Sequence, residues 1–100
     1  MIKNSNDDRD VRWSLDNIPK SFTVTLSSGL WSNNIQTVSN ANFLASGFGY
    51  IVAPASGSFI DYAAASIYAD NVTTDGNMTF HCARLPVSNL TVNIMRMVSL

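Results

Sequence analysis

The chain has 100 residues, of which 46% are hydrophobic and only 13% charged. All seven acids are Asp, and Ser, Thr and Asn together supply 31 residues, a mix that favours turns and strands over helix. It excludes a coiled coil, a helical bundle and a charged disordered tail, and no apolar run approaches the roughly 20 residues of a spanning helix.

The charge is uneven along the chain. Residues 1–20 hold eight of the thirteen charges, and residues 21–60 hold none. A Ser/Thr/Asn-coated surface is one account of that stretch. The sharper account is a surface that lies against other subunits. The net charge of −1 gives no electrostatic reason to expect nucleic acid, and Arg9 and Arg12 sit among Asp7, Asp8 and Asp10. Cys82 is the only cysteine, so no intrachain disulfide can form. The start of the chain lacks an apolar h-region, so the expectation is synthesis in a cytosol, with any exterior location reached by assembly.

Residues 1–20 read as an extended arm. Val11, Trp13 and Leu15 sit two apart and Ile18 precedes Pro19, which gives the arm one apolar side. From Ser21 the period is two: Phe22, Val24 and Leu26 alternate with Thr23, Thr25 and Ser27 in a half-buried strand. Turns at Ser28-Gly29 and Ser32-Asn33-Asn34 precede a short strand from Ile35 to Ser39. A further strand covers residues 48–53 and ends at Pro54, and residues 59–65 lean helical for a turn or two. Ser66 to Thr73 reads as a strand, with Asp75-Gly76 as a hairpin turn. The return strand, Met78 to Ala83, faces Met78, Phe80 and Cys82 one way and Thr79 and His81 the other. The last strand runs from Leu90 to Val98. Leu90, Val92 and Ile94 line one face while Met95 and Met97 make the other apolar too, as expected of a strand that is central or covered by another subunit. The predicted fold is an all-β, small antiparallel β-sandwich, jelly-roll or Ig-like, with about six to eight short strands. It occupies residues 21–100, behind the arm of residues 1–20.

Candidate chemistry is sparse. His81 and Cys82 are adjacent in a strand and point to opposite faces, and no further His or Cys completes a metal or nucleophile site. Asp70-Asn71 and Asp75-Gly76-Asn77 lack calcium-loop spacing. Gly47-Phe48-Gly49 precedes a strand rather than a helix, and no GxSxG occurs. The expectation is therefore no enzyme, no cofactor and no metal. Sequons at Asn71, Asn77 and Asn89 fit chance in an Asn- and Thr-rich chain. Trp31, Tyr50, Tyr62 and Tyr68 are candidate glycan-stacking residues, against the commoner use of aromatics as core and interface anchors.

The stretches FTVTLSSGLWSNNIQTVS, IVAPASGSFIDYAAASIYAD and DGNMTFHCARLPVSNLTVNI together resemble a C-terminal module of tailed-bacteriophage and prophage fibre-like virion proteins. The matching positions are Thr23 to Leu26, Trp31-Ser32, Gln36 to Val38, Pro54, Tyr62, Met78 to Cys82, Pro86 and Leu90 to Ile94. The resemblance covers roughly residues 22–95. It implies a virion structural role, usually as a homotrimer, and carries no catalytic residues over.

The sequence-based expectation is a capsid decoration or head-fibre (fibre-base) protein, made in the bacterial host cytoplasm and located in the virion. Val11, Trp13, Leu15 and Ile18 would dock its arm on the major capsid protein or another virion or fibre protein. Met95 and Met97 would contact sister subunits, and no nucleic acid or membrane is expected as partner. Alternatives are a tail or baseplate fibre component and a carbohydrate- or receptor-binding module.

Overall fold

Alternation of apolar and polar residues sets the layers of the domain. The computed structural model describes residues 20–98. The arm residues Val11, Trp13, Leu15 and Ile18 lie outside the described residues. The elements in chain order are β1 (Lys20–Leu26), β2 (Ile35–Ser39), β3 (Phe48–Pro54), α1 (Phe59–Ala64), β4 (Tyr68–Ala69), β5 (Asn77–His81) and β6 (Leu90–Val98). They form two antiparallel three-stranded sheets, β1-β6-β3 and β2-β5-β4. The expected all-β sandwich is the fold of the described residues.

The core lies between the sheets. Val24 and Leu26 of β1 and Leu90, Val92 and Ile94 of β6 meet Met78 and Phe80 of β5. Val72 and Phe43 enter from loops, and Phe43 is wholly buried. Its ring sits edge-on to Phe22, with centroids 5.3 Å apart, and tilted to Tyr50 at 5.7 Å. Such aromatic pairs add to the area term.

Two turns decide local register. Ser32 and Ile35 exchange backbone hydrogen bonds of 2.9 and 3.0 Å around Asn33-Asn34. Both Asn residues have positive φ, 53° and 63°, the geometry of a two-residue type I′ turn. At Asp75-Gly76 the turn itself closes by a Thr74–Asn77 bridge, with Gly76 at φ 89°, where a side chain would be strained.

The strand expected to enter that second turn, Ser66 to Thr73, is a correction: only Tyr68–Ala69 is strand. The backbone of the turn bonds elsewhere. Gly76 N donates to Phe43 O at 2.6 Å, Asn40 N donates to Gly76 O at 2.9 Å, and Asp75 Oδ1 accepts from Ala45 N at 2.8 Å. Between these ties Val72 turns into the core. Five steps of chain, from Ala69 to Thr74, therefore run beside three, from Asn77 to Phe80. The offset is two residues, so it bulges the chain without exchanging the faces.

The short helix is tied to the sheet at Ser58 and rests on the core through Tyr62. Ser58 is buried, but its Oγ accepts from Thr91 N of β6 at 2.8 Å and does not cap the helix. None of the α1 residues is fully buried, although Tyr62 packs against the core.

Candidate functional site

The two outer faces of the sandwich differ sharply. On the first sheet, β1, β6 and β3 align Ser21, Met95 and Ile51 across one rung and Thr23, Asn93 and Ala53 across the next. Met97 lies beside Gly49. Ile51, Met95 and Met97 are 53%, 38% and 37% exposed. Ile51 and Met95, together with Ser21, Thr23 and Ala53, border a shallow, mostly apolar groove of about 440 Å³ in which no charged group stands.

The cation that might have been on this face is inside. Arg96 continues the inward series Leu90, Val92, Ile94 and is 6% exposed. Its guanidinium carbon lies 4.3 Å from the Phe48 ring centroid, and Nη1 donates to Asn42 O at 3.1 Å. Stacking on an aromatic face stabilises a desolvated guanidinium. Its Nε is buried without a hydrogen-bond partner, and among the described residues no carboxylate lies within ion-pair distance.

The outer face of the second sheet carries polar pairs bonded to one another beside the exposed Ile35 and Tyr68. Ser39 Oγ donates to Asn77 Oδ1 at 2.9 Å, and the Thr37 and Thr79 hydroxyls meet at 3.1 Å. His81 Nε2 and Asp70 Oδ2 are 2.7 Å apart. In the same rung Ile35, His81 and Tyr68 stand side by side. The Tyr68 ring stacks on the His81 ring, with centroids 4.6 Å apart and planes 6° from parallel.

The four candidate stacking residues are divided by the structure. Trp31 packs half-buried on the core, with its indole N–H buried and unpartnered. The Tyr50 hydroxyl accepts from Leu44 N at 2.6 Å and lies within bonding distance of Asn42 O and Leu44 O, so it is a loop staple. Tyr62 is half-buried against the core. Tyr68 alone presents most of its ring, at 57% exposure.

Sequence reasoning placed His81 and Cys82 on opposite faces, and Cys82 is buried while His81 is not. It did not find the Asp70–His81–Tyr68 group. A signal was present: pairing read outward from the Asp75-Gly76 turn sets Asp70 opposite His81. The two extra residues put Tyr68 there instead, and Asp70 reaches His81 along the same face.

Burial also pushes two acids upward, the Cys82 thiol and the Tyr62 phenol. Each loses its proton more readily when unfolded. The unfolded chain therefore binds fewer protons above the ordinary thiol range, about 8.5, and stability falls as pH rises from there. Melting followed by circular dichroism at pH 7.5 and at pH 10 is expected to show the lower midpoint at pH 10. Cys82→Ala should reduce the difference.

Comparison with protein-family models, curated proteins and solved structures returned no match. Among the described residues no three His, Cys, Asp or Glu side chains gather as a metal site. No helix of the described residues is long and apolar enough to cross a membrane.

Proposed function

We propose that the chain is a bacteriophage virion structural protein. In this reading it is a capsid decoration or head-fibre (fibre-base) subunit that attaches by its N-terminal arm and self-associates as a trimer. The observation that carries the reading is the uncharged apolar outer face of the first sheet, with Ile51, Met95 and Met97 exposed. Fully burying such a side chain contributes roughly 1.5–3 kcal/mol, from which the ordering of the subunits must be subtracted. The sequence resemblance to fibre-associated virion modules supports the same reading, as does the absence of charge from residues 21–60.

Sedimentation equilibrium of the full chain is expected to give three times the chain mass. Ile51→Asp combined with Met95→Glu is expected to give a folded monomer, because both positions are solvent-facing in the single subunit. Deleting residues 1–18 should keep the trimer but abolish its incorporation into particles. A wild-type chain that stays monomeric overturns the self-association, and a truncated chain that still joins particles overturns the role of the arm.

A further inference from the structure

We propose that Tyr68 and Asp70 form a subsite for a neutral pyranose sugar at the mouth of the cleft between the two sheets. The inference is independent of the virion reading, since it rests on the second sheet alone.

Tyr68 is the starting point. It belongs to a two-residue edge strand in which Ala69 is the residue packed against the core. The fold therefore gains little from the Tyr68 ring. One face of that ring is covered by His81 at 4.6 Å, yet the residue is 57% exposed, which leaves the second face to solvent. A flat aromatic face held open is a stacking surface for the C–H face of a sugar ring.

The surface is fixed in advance. His81 is held at Nε2 by Asp70, 2.7 Å away, and stands between Ile35 and Tyr68 in its rung. Asp70 is held in turn by its backbone N–H, which donates to Thr79 O at 2.9 Å. A binding surface ordered before the ligand arrives avoids part of the entropy cost of binding.

Asp70 joins this platform to a cavity. The Asp70 side chain is half exposed, and only Oδ2 is engaged. Oδ1 is left to accept from a ligand hydroxyl, and hydrogen bonds to an ionised acceptor are the stronger kind. Asp70 also lines a cavity of about 400 Å³ between β3 and β4, beside Asn71, Gly49 and Tyr50. That volume falls in the range of small-ligand sites. Tyr68 and Asp70 both contact the His81 side chain, the ring at 4.6 Å between centroids and the carboxylate at 2.7 Å, which sets the stacking face and the acceptor close enough for one sugar ring.

Charge selects the sugar. Asp70 is the one charged group lining the cavity. Arg96 stacks on the lining residue Phe48 but is 6% exposed, donates to Asn42 O and is not itself a lining residue, and His81 is bonded to Asp70. With no Lys or Arg among the lining residues to meet a carboxylate, sulfate or phosphate, an anionic glycan or a nucleotide would face the like charge of Asp70.

The test uses the full chain on an array of glucose-, galactose- and mannose-containing neutral oligosaccharides, sialylated and sulfated glycans, and single-stranded oligonucleotides. Neutral sugars are expected to be retained and the anionic probes not. Calorimetric titration with the best neutral oligosaccharide should then show at least a tenfold loss for Tyr68→Ala and for Asp70→Asn. Binding should be kept or tightened in Tyr68→Trp. Circular dichroism should show all three variants folded, as expected for exposed positions. No retention of any neutral sugar, preferential retention of an anionic probe, or unchanged affinity in Tyr68→Ala would each overturn the proposal.

Discussion

Phe80→Ala is expected to destabilise the domain by about 3–5 kcal/mol, a large part of the 5–15 kcal/mol typical of a folded domain. Phe80 lies on the central strand of the second sheet and is wholly buried. Its register partners are Gln36 on one side and Ala69 on the other. Ala69 is too small to fill the space left behind. The Gln36 side chain is tied to Ser27 by two hydrogen bonds and is not free to move in. The cavity would therefore stay open, which is the expensive case. Urea unfolding should show a lower midpoint with little change in slope. A loss below about 1 kcal/mol would mean that the two sheets are not packed through Phe80.

Gln36→Leu is expected to cost about 1–3 kcal/mol, for a different reason. Gln36 is 4% exposed. Its Oε1 accepts from Ser27 N and its Nε2 donates to Ser27 O, both at 2.9 Å. The amide thus stands in for a strand at the end of β1 and links the two sheets. Leucine preserves the volume but leaves Ser27 N without a partner and Ser27 O with only the Leu30 N–H, 3.1 Å away. Gln36→Glu gives the signature. The carboxylate accepts from Ser27 N but opposes Ser27 O, and burial favours its neutral form, so its pKa in the folded state is raised. Its protonated form can donate to Ser27 O. Stability is therefore recovered below the unfolded carboxyl value of about 4.3 and lost as pH rises through the raised folded value. Unfolding of both variants at pH 4 and pH 7 tests this. Equal stability of Gln36→Leu and wild type would overturn the role of the amide. Because Gln36 and Phe80 are register partners, the double variant should not be additive.

What was legible in the sequence was what a single strand carries by itself. The alternations in residues 22–26, 78–82 and 90–94 already sort inward from outward residues, because side-chain period depends only on local backbone geometry. The same alternation extended to Arg96 puts it inside, yet its charge argues for the surface. Placing it needs Phe48 and Asn42, which lie about fifty residues away in sequence. The shortened strand before Asp75-Gly76 was hidden for a similar reason. The turn residues Asp75 and Gly76 bond to residues 40–45, and nothing in Ser66–Thr73 signals that. Gln36 reads as an ordinary outward or inward polar residue until Ser27 is known to lie beside it. The contact of Asp70 with His81 required a cross-strand register, which local patterning constrains only through the turn. The contrast between the two outer faces likewise appears only once strand order assigns each outward residue to a sheet.

That contrast bears on how far an association could grow. A particle with two unlike adhesive surfaces can add copies without limit, each new copy offering a fresh site. Here one broad side exposes Ile51, Met95 and Met97 without a charge, while on the other the hydroxyls, amide and imidazole–carboxylate pair are engaged with one another. Contact through the first sheet alone uses up that face in every participant. If copies associate through that face alone, growth stops at a small closed group without a separate cap.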